Sequence, residues 1–119
     1  MTDTPHLALP LLAAAQAQKH VTHNEALAIL DALLHLAVLD RDRGEPPQSP
    51  AEGDRYIVAQ DPTGAWAGKA GTVAVFGAGG WDFHGPKEGW LAWVADERAL
   101  LVHDASTWGP PGSGPAGKL

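Results

Sequence analysis

The chain has 119 residues, no cysteine, and a formal charge of −6 from 14 acidic against 8 basic side chains. That length predicts one domain burying ~65% of its extended-chain surface, and an acidic balance offers no counterion-release drive, so nucleic acid is not expected as a partner. The missing thiols exclude disulfide staples, thiolate zinc sites and cysteine nucleophiles, and leave the compartment open.

The first segment, residues 1–21, is apolar and interrupted by Pro5 and Pro10. Its run LALPLLAAAQAQ has the look of a signal-peptide core with a small-residue cleavage site, but MTDTPH in front carries Asp3 and no Lys or Arg, whereas a secretory n-region is basic. No apolar run reaches the ~20 residues that span a bilayer, so a soluble chain without a membrane partner is expected. Residues 1–21 read as an extended apolar arm, with Leu7, Leu9, Leu11 and Leu12 as its contact residues.

A helix is expected over 22–40. Thr22 can serve as N-cap, with Glu25 three residues on returning a bond to the cap amide and Val21 stapling onto Ala26. Leu27, Leu30, Leu33, Leu34 and Ala37 recur at three and four, leaving Glu25, Asp31 and His35 on a polar flank, so one face can bury on a sheet or another subunit. Gln16, Gln18, Lys19, His20 and Asn24 take no part in this cap and are candidate contacts at a subunit seam, where side-chain hydrogen bonds fix orientation. His20 and His23 do not make a zinc helix: H-E-x-x-H places the Glu between the histidines, and HVTHNE places it after both. No metal or cofactor is expected.

RGEPPQSPAEGD, within residues 41–54, reads as a Pro-rich linker or long loop, because its prolines remove donors and bias preceding residues away from helix. Residues 55–108 repeat one grammar, an apolar strand, a short polar or Gly-rich turn, then Trp: YIVAQDPTGAW, VAVFGAGGW and ALLVHDASTW. Each reads as a hairpin, and WLAWVA, apolar on both faces, as the central strand. Residues 109–119 read as a disordered Gly/Pro tail. The expected fold is α+β: an N-terminal arm and one amphipathic helix with a small antiparallel β-meander of Trp-containing hairpins.

No nucleophile elbow, P-loop or dinucleotide fingerprint occurs, and GAGG lies inside a hairpin where it offers no helix-terminal amides to a phosphate. Asp96 and Glu97 are adjacent and would point to opposite faces of a strand. Catalysis is therefore not expected. The five tryptophans are either core, since each buries a large apolar area, or an exposed row in which Trp66, Trp81 and Trp108 stack on a sugar or a fibre.

The blocks QAQKHVT with NEAL, GDRYIVA, TGAWAG and GWLAWVADE, in that order between Leu7 and Trp108, resemble a domain-of-unknown-function family of phage-like proteins from alphaproteobacteria. The resemblance implies a virion part without established catalytic residues, found in tail fibres and in the head spikes of gene transfer agents, the tailed-phage-like particles that move host DNA between cells. It implies a protein made in the bacterial cytoplasm and carried on the virion surface. A chain of this length is expected to act as an adapter or spike base beside a separate spike or fibre protein. Its expected partners are capsid protein and itself, in a ring of which a pentamer at a capsid vertex is one form. The competing expectation is a carbohydrate-binding module that touches host polysaccharide through its tryptophans, or a tail-fibre component.

Overall fold

The computed structural model describes residues 3–11, 19–77 and 79–111. The chain divides into two units, Met1–Leu34 and His35–Leu119.

The first unit contains a closed loop and helix α1, Lys19–Leu33. The helix begins ahead of the expected cap, so Thr22 lies inside it with an exposed side chain. Threonine is a tolerated helix residue, and nothing at position 22 stops propagation toward the N-terminus. Thr22→Ala should therefore leave stability unchanged or raise it by up to about 0.5 kcal/mol, because alanine is the better helix former. Loss of a true cap would lower it by ~1 kcal/mol, and a denaturant titration separates the two signs.

Residues 3–10 are not extended as expected. Asp3 and Pro10 form an antiparallel bridge. The Thr4 amide donates to the Leu9 carbonyl at 3.0 Å, the Leu9 amide to the Thr4 hydroxyl at 2.8 Å, and the Ala8 amide to the Thr4 carbonyl at 3.2 Å. Pro5, with its fixed φ, suits the turn that closes this loop.

The helix stops well short of residue 40. His35 adopts a left-handed φ of 53°, and Ala37–Val38 instead form strand β1. The other strands are β2 (Arg55–Ile57), β3 (Val73–Gly77), β4 (Gly80–His84), β5 (Leu91–Val94), β6 (Ala99–His103) and β7 (Trp108–Gly109). They form two sheets, β2-β3-β4 and β1-β5-β6-β7. The α+β class is as read from the sequence, with two sheets in place of one meander. All pairings are antiparallel except β1 with β5. The chain just after β1 joins the sheets, since the Leu39 amide donates to the Arg55 carbonyl at 2.8 Å and the Ile57 amide to the Asp40 carbonyl at 3.2 Å.

Two of the three expected hairpins are present. β3 and β4 pair Phe76 with Trp81 and close at Gly77 opposite Gly80, whose φ of 113° favours glycine. β6 and β7 pair His103 with Trp108. Tyr56–Trp66 is not a hairpin: β2 pairs with β3, and Trp66 arrives on a 3-10 turn, Gly64–Trp66. There it is fully buried against Tyr56, Val58 and Ala74, with Trp81 and Phe83 packed at the edge of the same cluster. β5 lies between β1 and β6, central as its two apolar faces predict. The Pro-rich stretch 41–54 is no free tether. Its Arg43 and Gly44 carbonyls accept from the Ala59 and Thr63 amides at 3.1 and 2.9 Å, and its Gly53 amide donates to Phe76 at 2.7 Å. Of the expected tail, Gly109 belongs to β7, and residues 112–119 lie outside the described part.

Candidate functional site

The four-stranded sheet has an apolar side that its own unit leaves open. Along β5 exposure alternates, with Ala92 and Val94 buried and Leu91 and Trp93 exposed. In register, Trp93 stands between Ala37 of β1 and Leu100 of β6, and Leu91 stands opposite Val102. Partners in register share a face, so Ala37, Leu91, Trp93, Leu100 and Val102 form one outward patch. Antiparallel sheets that face water ordinarily alternate apolar-in with polar-out; this one is apolar on both sides. Its inner side is the buried set Val38, Ala92, Val94 and Leu101.

One end of this sheet is acidic. Asp40 and Asp42 follow β1, and Asp96 and Glu97 form the β5–β6 turn, which lies at the same end because β1 and β5 run parallel. Arg41 pairs with Glu97 through Nε at 2.8 Å and a second nitrogen at 3.0 Å, and this bond holds the Glu97 carboxyl below its usual value. Partial desolvation, then the charges of Asp40, Glu97 and Asp42, push the Asp96 carboxyl up. At the opposite end the Asp104 carboxylate folds the β6–β7 turn, accepting from the Thr107 and Ser106 amides at 2.9 and 3.0 Å.

In the first unit the helix turns Asp31 inward and an apolar stripe outward. Asp31 is 2% exposed. Its carboxylate accepts the backbone amides of His6, at 2.9 Å, and of Leu7, together with the Thr4 hydroxyl. Burial pushes this carboxyl up, but the three donors favour its ionised form and hold it below its ordinary value. Asp31, expected with Glu25 and His35 on a polar flank, is instead buried against the loop. Ala26, Ile29, Leu30 and Leu34 are exposed and Leu33 half-buried, an apolar stripe at helical spacing. Across both units the exposed large apolar side chains Ile29, Leu30, Leu34, Leu39, Leu91, Trp93 and Leu100 stand 41–54% open.

The expected contact residues are dispersed. Leu7, Leu9 and Leu11 are half-buried in or beside the closed loop, and Asn24 is half-buried on α1. Lys19 and His20 lie in the first turn of α1, while Leu12, Gln16 and Gln18 lie outside the described residues. Trp66, Trp81 and Trp108 do not form a row. Trp66 and Trp81 meet edge to face with centroids 5.2 Å apart, and the buried Trp66 offers no face to a sugar. Trp108 packs on His103 at 5.1 Å and donates Nε1 to the Gly71 carbonyl at 3.1 Å, fastening one sheet to the turn ahead of β3. Trp108→Phe keeps the ring contact and removes that bond, for an expected loss of about 1 kcal/mol in a urea titration. The exposed tryptophan is Trp93. The reading of WLAWVA as apolar on both faces already held the signal, and centrality in the sheet absorbed it.

Among the described residues no helix is long and apolar enough to cross a membrane, and no three His, Asp or Glu side chains gather as metal ligands. A family model described as a protein of unknown function, DUF2793, matches residues 23–109. The chain belongs to that family. No curated protein matches it. The DUF2793 region opens inside α1, closes on the last residue of β7, and so contains both apolar surfaces while leaving the N-terminal loop outside.

Proposed function

We propose that the protein is a non-catalytic structural part of a phage-like particle, an oligomeric base or adapter of a gene-transfer-agent head spike that supports a separate host-attachment fibre. The observation that carries the reading is the pair of open apolar surfaces, the α1 stripe and the β5–β6 face. On a small domain, apolar side chains left this open and grouped in register mark protein contact. The phage-like resemblance of the ordered blocks from Gln16 to Glu97 supplies the setting, with capsid protein, a fibre protein and further copies of the chain as partners on the virion surface.

Particles purified from a producing strain should carry the protein at a fixed ratio to capsid protein, and immunogold should label them at the head. Label confined to the tail would move the assignment to a tail-fibre component. Its absence from washed particles would overturn the reading.

One observation keeps the carbohydrate-binding alternative in play: Trp93 presents an open indole face within the β5–β6 patch. With Trp66 in the core and Trp108 fastened inward, that reading rests on Trp93 and the half-buried Trp81. A polysaccharide titration followed by tryptophan fluorescence, on wild type and Trp93→Ala, tests it directly.

A further inference from the structure

We infer that the stripe of α1 in one copy packs on the outward β5–β6 face of the next, a head-to-tail contact between copies of this chain. The inference rests on the self-assembly part of the proposed function and names the two surfaces that would carry it. One chain presents both halves of a helix-on-sheet contact. Ala26, Ile29, Leu30, Leu33 and Leu34 form a ridge ~12 Å long. Ala37, Leu91, Trp93, Leu100 and Val102 form a shallow apolar floor crossing three strands, ~10 Å from first to last. Gly109, opposite Val102, leaves the β7 edge of that floor without a side chain.

Charge selects both the occupant and its direction. The β1/β5 end of the floor carries Asp40, Asp42, Asp96 and Glu97 against Arg41 and Arg98, and partial desolvation, then the neighbouring carboxylates, raise the Asp96 carboxyl there. The first turn of α1 has no acidic residue and starts at Lys19 in the chain, and the helix dipole adds partial positive charge at the same place. The N-terminus of a neighbour's α1 therefore belongs over the acidic end, with the helix antiparallel to β5 and its Leu34 end over Leu91. A ridge on one unit and a floor on the other are different surfaces, so the contact is heterologous, the type that closes into rings when the rotation allows.

The test is complementation between two full-length variants. Leu30→Glu with Leu34→Glu blocks the ridge, and Trp93→Glu with Leu100→Glu blocks the floor. All four positions are exposed, and circular dichroism melts should show each variant folded. By sedimentation velocity the wild type should form a closed oligomer, each variant alone should need at least about a hundredfold higher concentration to associate, since two buried leucine-sized contacts are lost, and an equimolar mixture should give a 1:1 dimer through its one intact ridge and floor. Raising salt from 0.05 to 0.5 M should weaken the mixed dimer. A wild type that stays monomeric at all concentrations overturns this contact and the self-assembly reading together. A wild-type oligomer that both variants retain overturns the contact alone. Loss in the floor variant only, with no rescue on mixing, assigns the floor to a symmetric sheet-to-sheet pair and also overturns it.

Discussion

Trp66→Ala is expected to lower the stability of the β unit by about 3–5 kcal/mol and to leave much of it unfolded at 37 °C, since small domains hold only ~5–15 kcal/mol in total. Trp66 is 0% exposed, and its ring meets Tyr56 at 5.4 Å and Trp81 at 5.2 Å between centroids. Truncation opens a cavity against Tyr56, Val58 and Ala74, and the 3-10 turn that delivers Trp66 is fixed by its own amide and that of Ala67, bonded back to the Thr63 and Gly64 carbonyls. The Trp66 Nε1 is buried with no hydrogen-bond partner among the described residues, and it belongs to an indole set at 84° to the Trp81 ring. An orphaned buried donor costs ~1–3 kcal/mol. Trp66→Phe removes that donor along with part of the ring, so its loss should be less than half that of the alanine variant. Urea titrations followed by near-ultraviolet circular dichroism give both values, and an alanine variant within about 1 kcal/mol of wild type would contradict the packing described for this cluster.

How legible each part was depends on whether its cause is local. VAVFGAGGW announces its hairpin because an apolar run leads into a Gly-rich turn that supplies the positive φ at Gly80, all written within ten positions. YIVAQDPTGAW shows the same surface grammar, yet its strand finds β3 as partner and its Trp becomes the plug of a core assembled from three separate segments. Trp content alone does not distinguish these outcomes. The end of α1 was obscured for a related reason: Ala37 continues the three-and-four period of Leu30, Leu33 and Leu34, but Ala37 and Val38 gain a parallel partner in β5, and pairing overrides propensity for so short a stretch. The open face of β5 and β6 was partly visible, since Leu91, Trp93, Leu100 and Val102 are apolar at every second position. Which side of that sheet stays open is set by the placement of Val38 and Leu101 on the inner side, and no window of sequence carries it.

Asp31 is the residue whose role was least visible, and its substitution should have the most specific effect. The carboxylate joins α1 to a loop more than twenty residues earlier, accepting the His6 and Leu7 amides and the Thr4 hydroxyl, so its meaning exists only after the loop has closed. Asp31→Ala removes the carboxylate that accepts these part-buried bonds, each worth about 1 kcal/mol or more because the acceptor is charged. The expected result is detachment of residues 3–10 from the helix, read as exchange of the His6 and Leu7 amides at least about thirtyfold faster than in wild type, with the amides of Ala92 and Leu101 in the sheet as internal reference. Asp31→Asn, which keeps one accepting oxygen and turns an NH2 toward the remaining donors, should fall between the two. The pH dependence follows from the lowered carboxyl. Its stabilisation is complete above the unfolded value of ~3.9 and is lost as pH falls through the lower folded value, so loop protection should be flat from pH 7 to about 5 and should collapse only in stronger acid. The alanine variant should show no such acid step at His6 and Leu7. An acid step that persists in Asp31→Ala would assign the loop's attachment to some other group and remove Asp31 from that role.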